Sequence, residues 1–218
     1  MSSLLTNKNY LKKRGITNPW EINPLPNRKF HQVIIIPSYG ESDYLPQTLS
    51  SLEKNDLKLL QDTLVIVVVN HGENSGKFFK NDNGKTLQFL STSEYPFTLG
   101  IVDAASPGLE LPSKQAGVGL ARKIGMDLAL PHVISNRSLL FSTDADTTVD
   151  SHYLKTVLDY FNEHLADAAV VGFSHLVSGN TKLEKKIKEY EDFLHITARK
   201  INDAGSPYGY VSMGSTMV

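Results

Sequence analysis

Two aspartates, Asp144 and Asp146, come directly after the apolar run at residues 138–143. In an extended segment, residues two positions apart point to the same side of the backbone, with Cα atoms about 7 Å apart. Two carboxylates at this range resist joint ionisation unless a cation or hydrogen-bond donors lie between them. The spacing therefore favours a divalent metal that holds a phosphorylated ligand. The alternative is structural, because acidic residues after a strand often cap the next helix, and Asp150 or Ser151 could begin one here.

Polar residues also follow two other segments that we predict to be buried strands. Ser38 and Tyr39 come after the run at 33–36, and Asn70 comes after the run at 64–69. In an open α/β sheet, ligands bind beyond the carboxyl ends of the strands, near the switch in strand order. In such a fold these residues would converge with the two aspartates on one ligand site. The alternative is that they are ordinary strand-to-helix turns, which favour polar residues in any protein.

The composition limits the classes of protein to which the chain can belong. Its 218 residues are 40% hydrophobic and 21% charged, with a net charge of -1, which fits one globular domain with a sizeable core. This near-neutral charge lacks the basic surplus of a nucleic-acid binder, so we expect no nucleic-acid partner. The absence of cysteine excludes a disulfide framework and a thiolate metal site.

The start of the chain and its apolar runs predict a cytoplasmic protein. The first nine residues lack the charged start and the apolar core of a secretion signal. The longest apolar runs are far too short to span a bilayer. Residues 1–31 are polar, and we predict that they form an N-terminal arm laid over a domain at 32–218.

Strand patterns alternate with helical patterns along the chain, which predicts an α/β fold with a mostly parallel sheet covered by helices. The apolar, largely β-branched runs predict strands at 33–36, 64–69, 99–102, 139–143 and 168–173.

Helical spacing of apolar residues predicts four helices. They lie at 44–54, at 118–130, around the apolar face formed by Leu154, Val157, Leu158 and Phe161, and from the capping box at 181–184 to the stop at Gly205 and Pro207. The segment 71–84 is rich in Gly, Asn and Lys, and we predict a mobile loop with a short helix at 77–80.

Five short motifs, taken in order, resemble the family 2 glycosyltransferases of GT-A fold. The segment 33–41 is similar to the family's first strand and loop, which usually ends in Pro-(Ser/Thr)-Tyr-Asn-Glu. Residues 119–125 are similar to its Gly-x-x-x-Arg-Asn-x-Gly helix start, and residues 140–146 match its Asp-x-Asp segment. Residues 172–175 resemble the strand that follows, and residues 210–215 resemble its Gly-Ser loop on the acceptor side. Their order and spacing carry the resemblance.

The resemblance implies a nucleotide-sugar-binding role for the first two strand ends. Tyr39 would stack on the base, and Pro37 would present its backbone carbonyl to it. Ser38 and Glu41 belong to the same loop. Asn70 stands where the family usually has an aspartate that accepts a hydrogen bond from the base. It keeps an acceptor oxygen without the charge, so the identity of the base stays open.

The resemblance also assigns roles around the diphosphate and the metal. Lys114 and Arg122 would lie near the diphosphate, although an arginine at a helix start can equally be a surface residue. Asp144 would reach the ribose or the metal, Ala145 would line the nucleotide-sugar, and Asp146 would bind the metal itself. Oxygen ligands of this kind suit Mn²⁺ or Mg²⁺ and not zinc.

The implied reaction moves a sugar from a nucleotide-diphospho-sugar, such as a UDP-sugar, to a hydroxyl of a glycan or lipid-linked acceptor. Gly214 and Ser215 would lie on the acceptor side. In the family the general base follows this loop by a few tens of residues, so we expect it beyond Val218 and expect the chain to be C-terminally incomplete. A peripheral membrane association would also belong to that further part.

Two alternatives stay open. A nucleotidyltransferase that makes activated sugars would carry a Gly-rich loop with Arg and Lys after the first strand, which residues 37–42 lack. A non-catalytic nucleotide-sugar-binding module would keep the donor site alone. Two other nucleotide motifs are excluded: residues 117–122 have Arg at the third glycine position of a dinucleotide fingerprint, and residues 72–77 are one residue short of a phosphate loop.

Overall fold

The computed structural model of the protein describes residues 3–16, 19–175, 179–211 and 216–218. The chain divides into two compact units, residues 1–166 and residues 167–218. Of the elements that the structure describes, the first unit contains the sheet and every helix except the last one.

A four-stranded, all-parallel sheet forms the core of the first unit, which confirms the predicted α/β class. Its strand order is β3-β2-β1-β4. The two central strands are buried along their whole length, because their unbroken apolar runs can be covered by helices on both faces. The strands are β1 (Gln32–Ser38), β2 (Thr63–Asn70), β3 (Thr98–Ala104) and β4 (Leu139–Ser142).

Helices connect the strands, as parallel pairing requires. One sheet face packs against α5, where Gly125 lets the helix approach Ile35 and Val68 so closely that a Cβ would meet Ile35 at 2.5 Å. The helices are α1 (Ser3–Arg14), α2 (Leu45–Leu52), α3 (Leu57–Gln61), α4 (Lys77–Ser91), α5 (Val118–Ala129), α6 (Tyr153–Glu163) and α7 (Thr181–Asp203), and a 3₁₀ turn, Leu130–His132, follows α5.

Within the first unit, the N-terminal segment contacts helix α5 at a buried carboxylate. Asp127 on α5 accepts hydrogen bonds from the Tyr10 hydroxyl at 3.0 Å, the Ile16 backbone N–H at 2.8 Å and the Lys123 ammonium at 2.5 Å. Further along the segment, Ile22 and Phe30 are buried in the core, and Phe30 lies two residues before the start of β1. These contacts anchor α1 and the residues after it.

Two element predictions were wrong. The predicted fifth strand at 168–173 does not join the described sheet; instead Val170 forms an antiparallel bridge with Met217 within the second unit. An apolar run predicts extended backbone but does not predict its partner. The short helix at 77–80 is in fact the first turn of the 15-residue helix α4.

Among the helices that the structure describes, none combines the length and the apolar character needed to cross a bilayer.

Candidate functional site

The turn after β1 carries the aromatic ring of Tyr39 and the carboxylate of Glu41 at the carboxyl edge of the sheet. Pro37 and Ser38 are buried at the end of the strand, whereas Tyr39 is 41% exposed. The Tyr39 ring stacks on Phe79 of α4, with centroids 4.5 Å apart and an interplanar angle of 21°. Gly40 has φ of 70°, and a Cβ there would lie 2.6 Å from the Phe79 ring, so the close approach of turn and helix requires glycine.

Helix α4 holds this turn through two neighbouring polar residues. Asn83 is fully buried, and its Oδ1 accepts the Gly40 N–H at 2.9 Å. Its Nδ2 donates to the Asn70 backbone oxygen at 2.8 Å and to His71 Nδ1 at 2.9 Å. Asp82 accepts the Ser42 N–H at 3.0 Å and the Ser42 hydroxyl at 2.6 Å. The helix therefore fixes the ends of β1 and β2 relative to each other.

Asn70 lies at the end of β2 and is 3% exposed. Its Nδ2 donates to the backbone oxygens of Ser38 at 3.0 Å and Val68 at 3.1 Å. The amide nitrogen thus ties the two central strands together where they end. The side-chain oxygen is the atom through which Asn70 could accept a hydrogen bond from a base, and that role stays a prediction.

The segment after β4 presents the two aspartates next to a guanidinium. Arg122, in the first turn and a half of α5, donates a hydrogen bond from its Nη2 to Asp144 Oδ1 and forms an ion pair with it. Asp144 is partly buried and Asp146 is exposed. Between them Ala145 is buried, and its backbone oxygen accepts a hydrogen bond of 2.7 Å from the Thr48 hydroxyl of α2. This contact fixes the backbone that carries both carboxylates.

Negative charge is concentrated between the β1 turn and the β4 end. Burial raises the pKa of Glu41, and the carboxylates of Asp146, Asp82 and Asp144 raise it further. These four carboxylates therefore share one neighbourhood, in which mutual repulsion opposes full ionisation. A cation bound beside them would relieve that repulsion.

The carboxylates fit a metal that is shared with a ligand better than a closed protein site. Among the described residues, no group of three or more His, Asp or Glu side chains is arranged to hold a metal ion. Mg²⁺ in phosphate-binding sites is commonly held by one or two carboxylates together with substrate phosphates and water. Asp144 and Asp146 could supply such a pair, although Asp144 also bonds to Arg122.

For three further predicted site residues, the described part of the structure gives no contact with the carboxylates and Arg122. Lys114 is exposed in the loop before α5. Gly214 and Ser215 lie outside the described residues.

Several buried polar atoms at this edge have no hydrogen-bond partner among the described residues. Each belongs to a residue at or near the carboxyl end of a strand, or to a helix that begins there or packs beside it. They are Ser38 Oγ, His71 Nε2, Arg122 Nε, Ser142 Oγ, Thr143 Oγ1 and Tyr153 OH.

Sequence reasoning missed three residues of this region, His71, Asp82 and Asn83. All three lie in the segment 71–84, whose composition indicated only a polar loop. The signal that could have found them is position: His71 directly follows β2, where polar residues of a parallel sheet reach its ligand-binding edge.

Comparisons with known proteins find similar solved structures. No protein-family model matches the chain, and no curated protein matches its sequence. TarS from S. aureus in complex with UDP matches with a TM-score of 0.49 and 21% identity, over 68% of this chain and 37% of that chain. TarS in complex with UDP-GlcNAc gives 0.46 and 22%, over 68% and 36%.

A mannosyltransferase is a further structural match. PcManGT from Pyrobaculum calidifontis, in complex with GDP-Man and Mn²⁺, matches with a TM-score of 0.45 and 18% identity, over 78% of this chain and 42% of that chain. The chain thus spans about two fifths of the length of these solved proteins. Identities and TM-scores this low assign neither a substrate nor an activity to it.

Proposed function

We propose that this chain is the donor-binding part of a glycosyltransferase similar to family 2, and that it binds a nucleotide-diphospho-sugar with Mn²⁺ or Mg²⁺. The observation that carries the proposal is the Arg122–Asp144 pair, which stands beside Asp146 and Glu41 beyond the carboxyl ends of β4 and β1. A guanidinium and several carboxylates side by side suit a ligand that is itself anionic and brings a cation.

The roles follow from the chemistry of each group. The guanidinium of Arg122 can donate two parallel hydrogen bonds to a diphosphate, and its Nε has no partner among the described residues. Asp144 and Asp146 would hold the metal, which when bound supplies Lewis-acid stabilisation of the charge on the leaving diphosphate. The exposed Tyr39 ring, supported from behind by Phe79, offers a surface on which a base can stack.

The acceptor is a hydroxyl of a glycan or of a lipid-linked glycan in this proposal. Support for the transfer step comes from the order of the sequence motifs, because the described residues that support this proposal concern the donor and not the acceptor. Release of UDP or GDP from a nucleotide-sugar, followed by chromatography, distinguishes a transferase from a module that only binds. A nucleotidyltransferase would instead release pyrophosphate from a nucleoside triphosphate and a sugar phosphate.

Calorimetry of UDP and GDP binding, with Mn²⁺ and with EDTA, tests the donor site. We expect binding that depends on the metal, and we expect Asp146→Asn to weaken it by about 10²-fold, since one of two protein ligands loses its charge. Asp150→Asn is the matched control, because Asp150 is an exposed carboxylate four residues further along the same segment. Equal affinities in Mn²⁺ and EDTA would contradict the proposal.

A further inference from the structure

His71 carries a buried polar atom that the proposed roles do not use. The residue directly follows β2 and is 2% exposed. Its Nδ1 bonds to Asn83, whereas its Nε2 has no hydrogen-bond partner among the described residues. A buried donor or acceptor left unpaired costs about 1 to 3 kcal/mol. Such an atom at the ligand-binding edge of a parallel sheet calls for an explanation.

The orientation of the Asn83 amide is fixed by its other two partners. The Gly40 N–H can only donate, so the Asn83 atom that faces it at 2.9 Å must be the oxygen. The Asn70 backbone carbonyl can only accept, so the atom that faces it at 2.8 Å must be the nitrogen. That same NH2 group faces His71, and Nδ1 of the imidazole is therefore an acceptor.

The imidazole of His71 is consequently in one defined state. Burial lowers the pKa of His71, and the nearby Lys80 ammonium lowers it further, while Glu110 and Asp103 act in the opposite direction without reversing the shift. The ring is neutral at pH 7, and a neutral ring whose Nδ1 accepts must carry its proton on Nε2. The unpaired atom is thus a hydrogen-bond donor.

This donor is linked to the Tyr39 turn through a single side chain. Asn83 accepts from Gly40, the residue after Tyr39, and donates to His71. Tyr39 is the exposed aromatic residue at the end of β1, on which we propose that the base stacks. The imidazole and the turn that carries Tyr39 are therefore bonded to the same buried amide, just beyond the ends of two neighbouring strands.

We propose that His71 reads the nucleobase, by donating its Nε2–H to a carbonyl group of the base. The chain would then prefer bases that carry an oxo group where their counterparts carry an amino group, which means uracil over cytosine and guanine over adenine. This inference rests on the proposed function, because it concerns the base of the same nucleotide.

The discrimination comes from matching a donor with an acceptor. The 4-oxo group of uracil accepts the Nε2–H, so both buried groups are satisfied. The 4-amino group of cytosine is itself a donor, and two donors facing each other in a dry site both stay unpaired. A site built around a hydrogen bond rejects an analogue that cannot make it much more strongly than an apolar pocket rejects a change of size.

Calorimetry with UDP, CDP, GDP and ADP in the presence of Mn²⁺ tests the inference. We expect the wild type to bind UDP at least about tenfold more tightly than CDP, and GDP more tightly than ADP. The difference arises because the oxo group of UDP or GDP accepts the His71 hydrogen bond, whereas the amino group of CDP or ADP leaves the His71 donor unpaired. Both ligands of a pair share the ribose, the diphosphate and the metal. Their ratio on one protein sample therefore isolates the base and does not depend on the folded fraction.

Three variants complete the experiment. His71→Phe keeps an aromatic ring without a hydrogen-bond donor. We expect the affinities of this variant for UDP and CDP to differ by no more than about twofold. His71→Gln returns an N–H near the Nε2 position and should restore part of the preference. His132→Phe is the matched control, since His132 is a partly buried histidine next to the start of β1, at the other end of the strand; its ratio should equal that of the wild type.

The outcomes separate the inference from the proposed function. If UDP and CDP bind the wild type equally, or if His71→Phe keeps the wild-type ratio, His71 does not read the base, although the donor site stands. If none of the four nucleotides binds the wild type with Mn²⁺, the donor site itself is wrong, and the inference fails with it.

Discussion

The two ends of the central strands satisfy their buried polar groups differently. At the amino end, the buried Thr63 hydroxyl is 2.7 Å from the Leu59 backbone oxygen, to which it donates, and it also contacts Gln32 Oε1 at 3.4 Å. At the carboxyl end, buried atoms such as Ser38 Oγ and Ser142 Oγ have no partner among the described residues. Native proteins pair nearly all buried polar groups. The exceptions gathered at this edge are what the proposed donor site there would explain.

The carboxyl edge also holds like charges together, which the fold alone does not require. Glu41 lies in a neighbourhood where the carboxylates of Asp82, Asp144 and Asp146 raise its pKa. Among the ion pairs of the described residues, Arg122 pairs with Asp144. Sequences that otherwise agree with their fold depart from it at functional sites, which is the role that we propose for this edge.

The largest expected effect on stability comes from removing the Asn83 amide, whose oxygen and nitrogen are both hydrogen-bonded. Asn83→Ala removes the partners of Gly40, Asn70 and His71 at once. We expect a loss of about 3 kcal/mol in the free energy of unfolding, because three buried groups lose their hydrogen bonds and water can satisfy only some of them. Urea denaturation measures it.

Asn81→Ala is the control for this loss, since Asn81 is an exposed asparagine on the same helix. It should change stability by less than about 0.5 kcal/mol. If both variants lose the same amount, helix propensity and not the buried amide explains the effect of Asn83→Ala.

The second prediction concerns the guanidinium at the β4 end. Arg122→Gln should weaken the metal-dependent binding of UDP by about 10- to 100-fold, because a charge-assisted hydrogen bond to a diphosphate contributes about 1.5 to 3 kcal/mol. Arg122→Lys keeps the charge without the planar fork and should weaken it less. Calorimetry measures all three proteins. Unchanged affinity in Arg122→Gln would mean that Arg122 serves only to pair with Asp144.

The sequence predicted the sheet and its charged edge because both depend on local pattern. Apolar runs of the kind at 64–69 specify a strand buried on both faces wherever they occur. The aspartates after β4 were recognisable from their spacing, and Arg122 was recognisable from its motif. Their ion pair was not, because it depends on how α5 packs beside β4.

The missed features depend on contacts between segments that are distant in sequence. Helix α4 contains Asn, Asp and Gly, which favour loops and turns over helix interiors, so its local propensity indicated a loop. Its buried asparagine and aspartate bond to the β1 turn about 40 residues earlier, and these bonds stabilise a helix that the local sequence does not favour. The hydrogen bond between Asn83 and His71 Nδ1 likewise depends on how α4 packs beside the end of β2.

The third prediction compares two histidines, one at each end of the sheet. Burial lowers the pKa of His71, with a further effect of Lys80, and burial and Lys29 lower that of His132. Below about pH 6.5 the unfolded chain binds protons that the folded histidines do not, so stability should be full above that pH and fall as the pH is lowered.

Urea denaturation between pH 7.5 and about pH 5 measures this slope, in a range where most carboxylates stay ionised. His71→Phe and His132→Phe should each make the slope shallower. A slope unchanged in both variants would mean that neither histidine is held neutral by the fold.

The smallest effect gives the most direct test of the contrast between the two edges. Thr63→Val removes a bonded hydroxyl at the amino end and should cost about 1 kcal/mol of unfolding free energy. Ser142→Ala removes a buried hydroxyl without a partner among the described residues, and it should leave stability unchanged or raise it by up to about 1 kcal/mol, because the folded state no longer desolvates that group. Denaturation of both variants without ligand measures the difference in sign. If Ser142→Ala is as destabilising as Thr63→Val, the Ser142 hydroxyl is satisfied in the free protein, and unpaired groups do not distinguish the carboxyl edge.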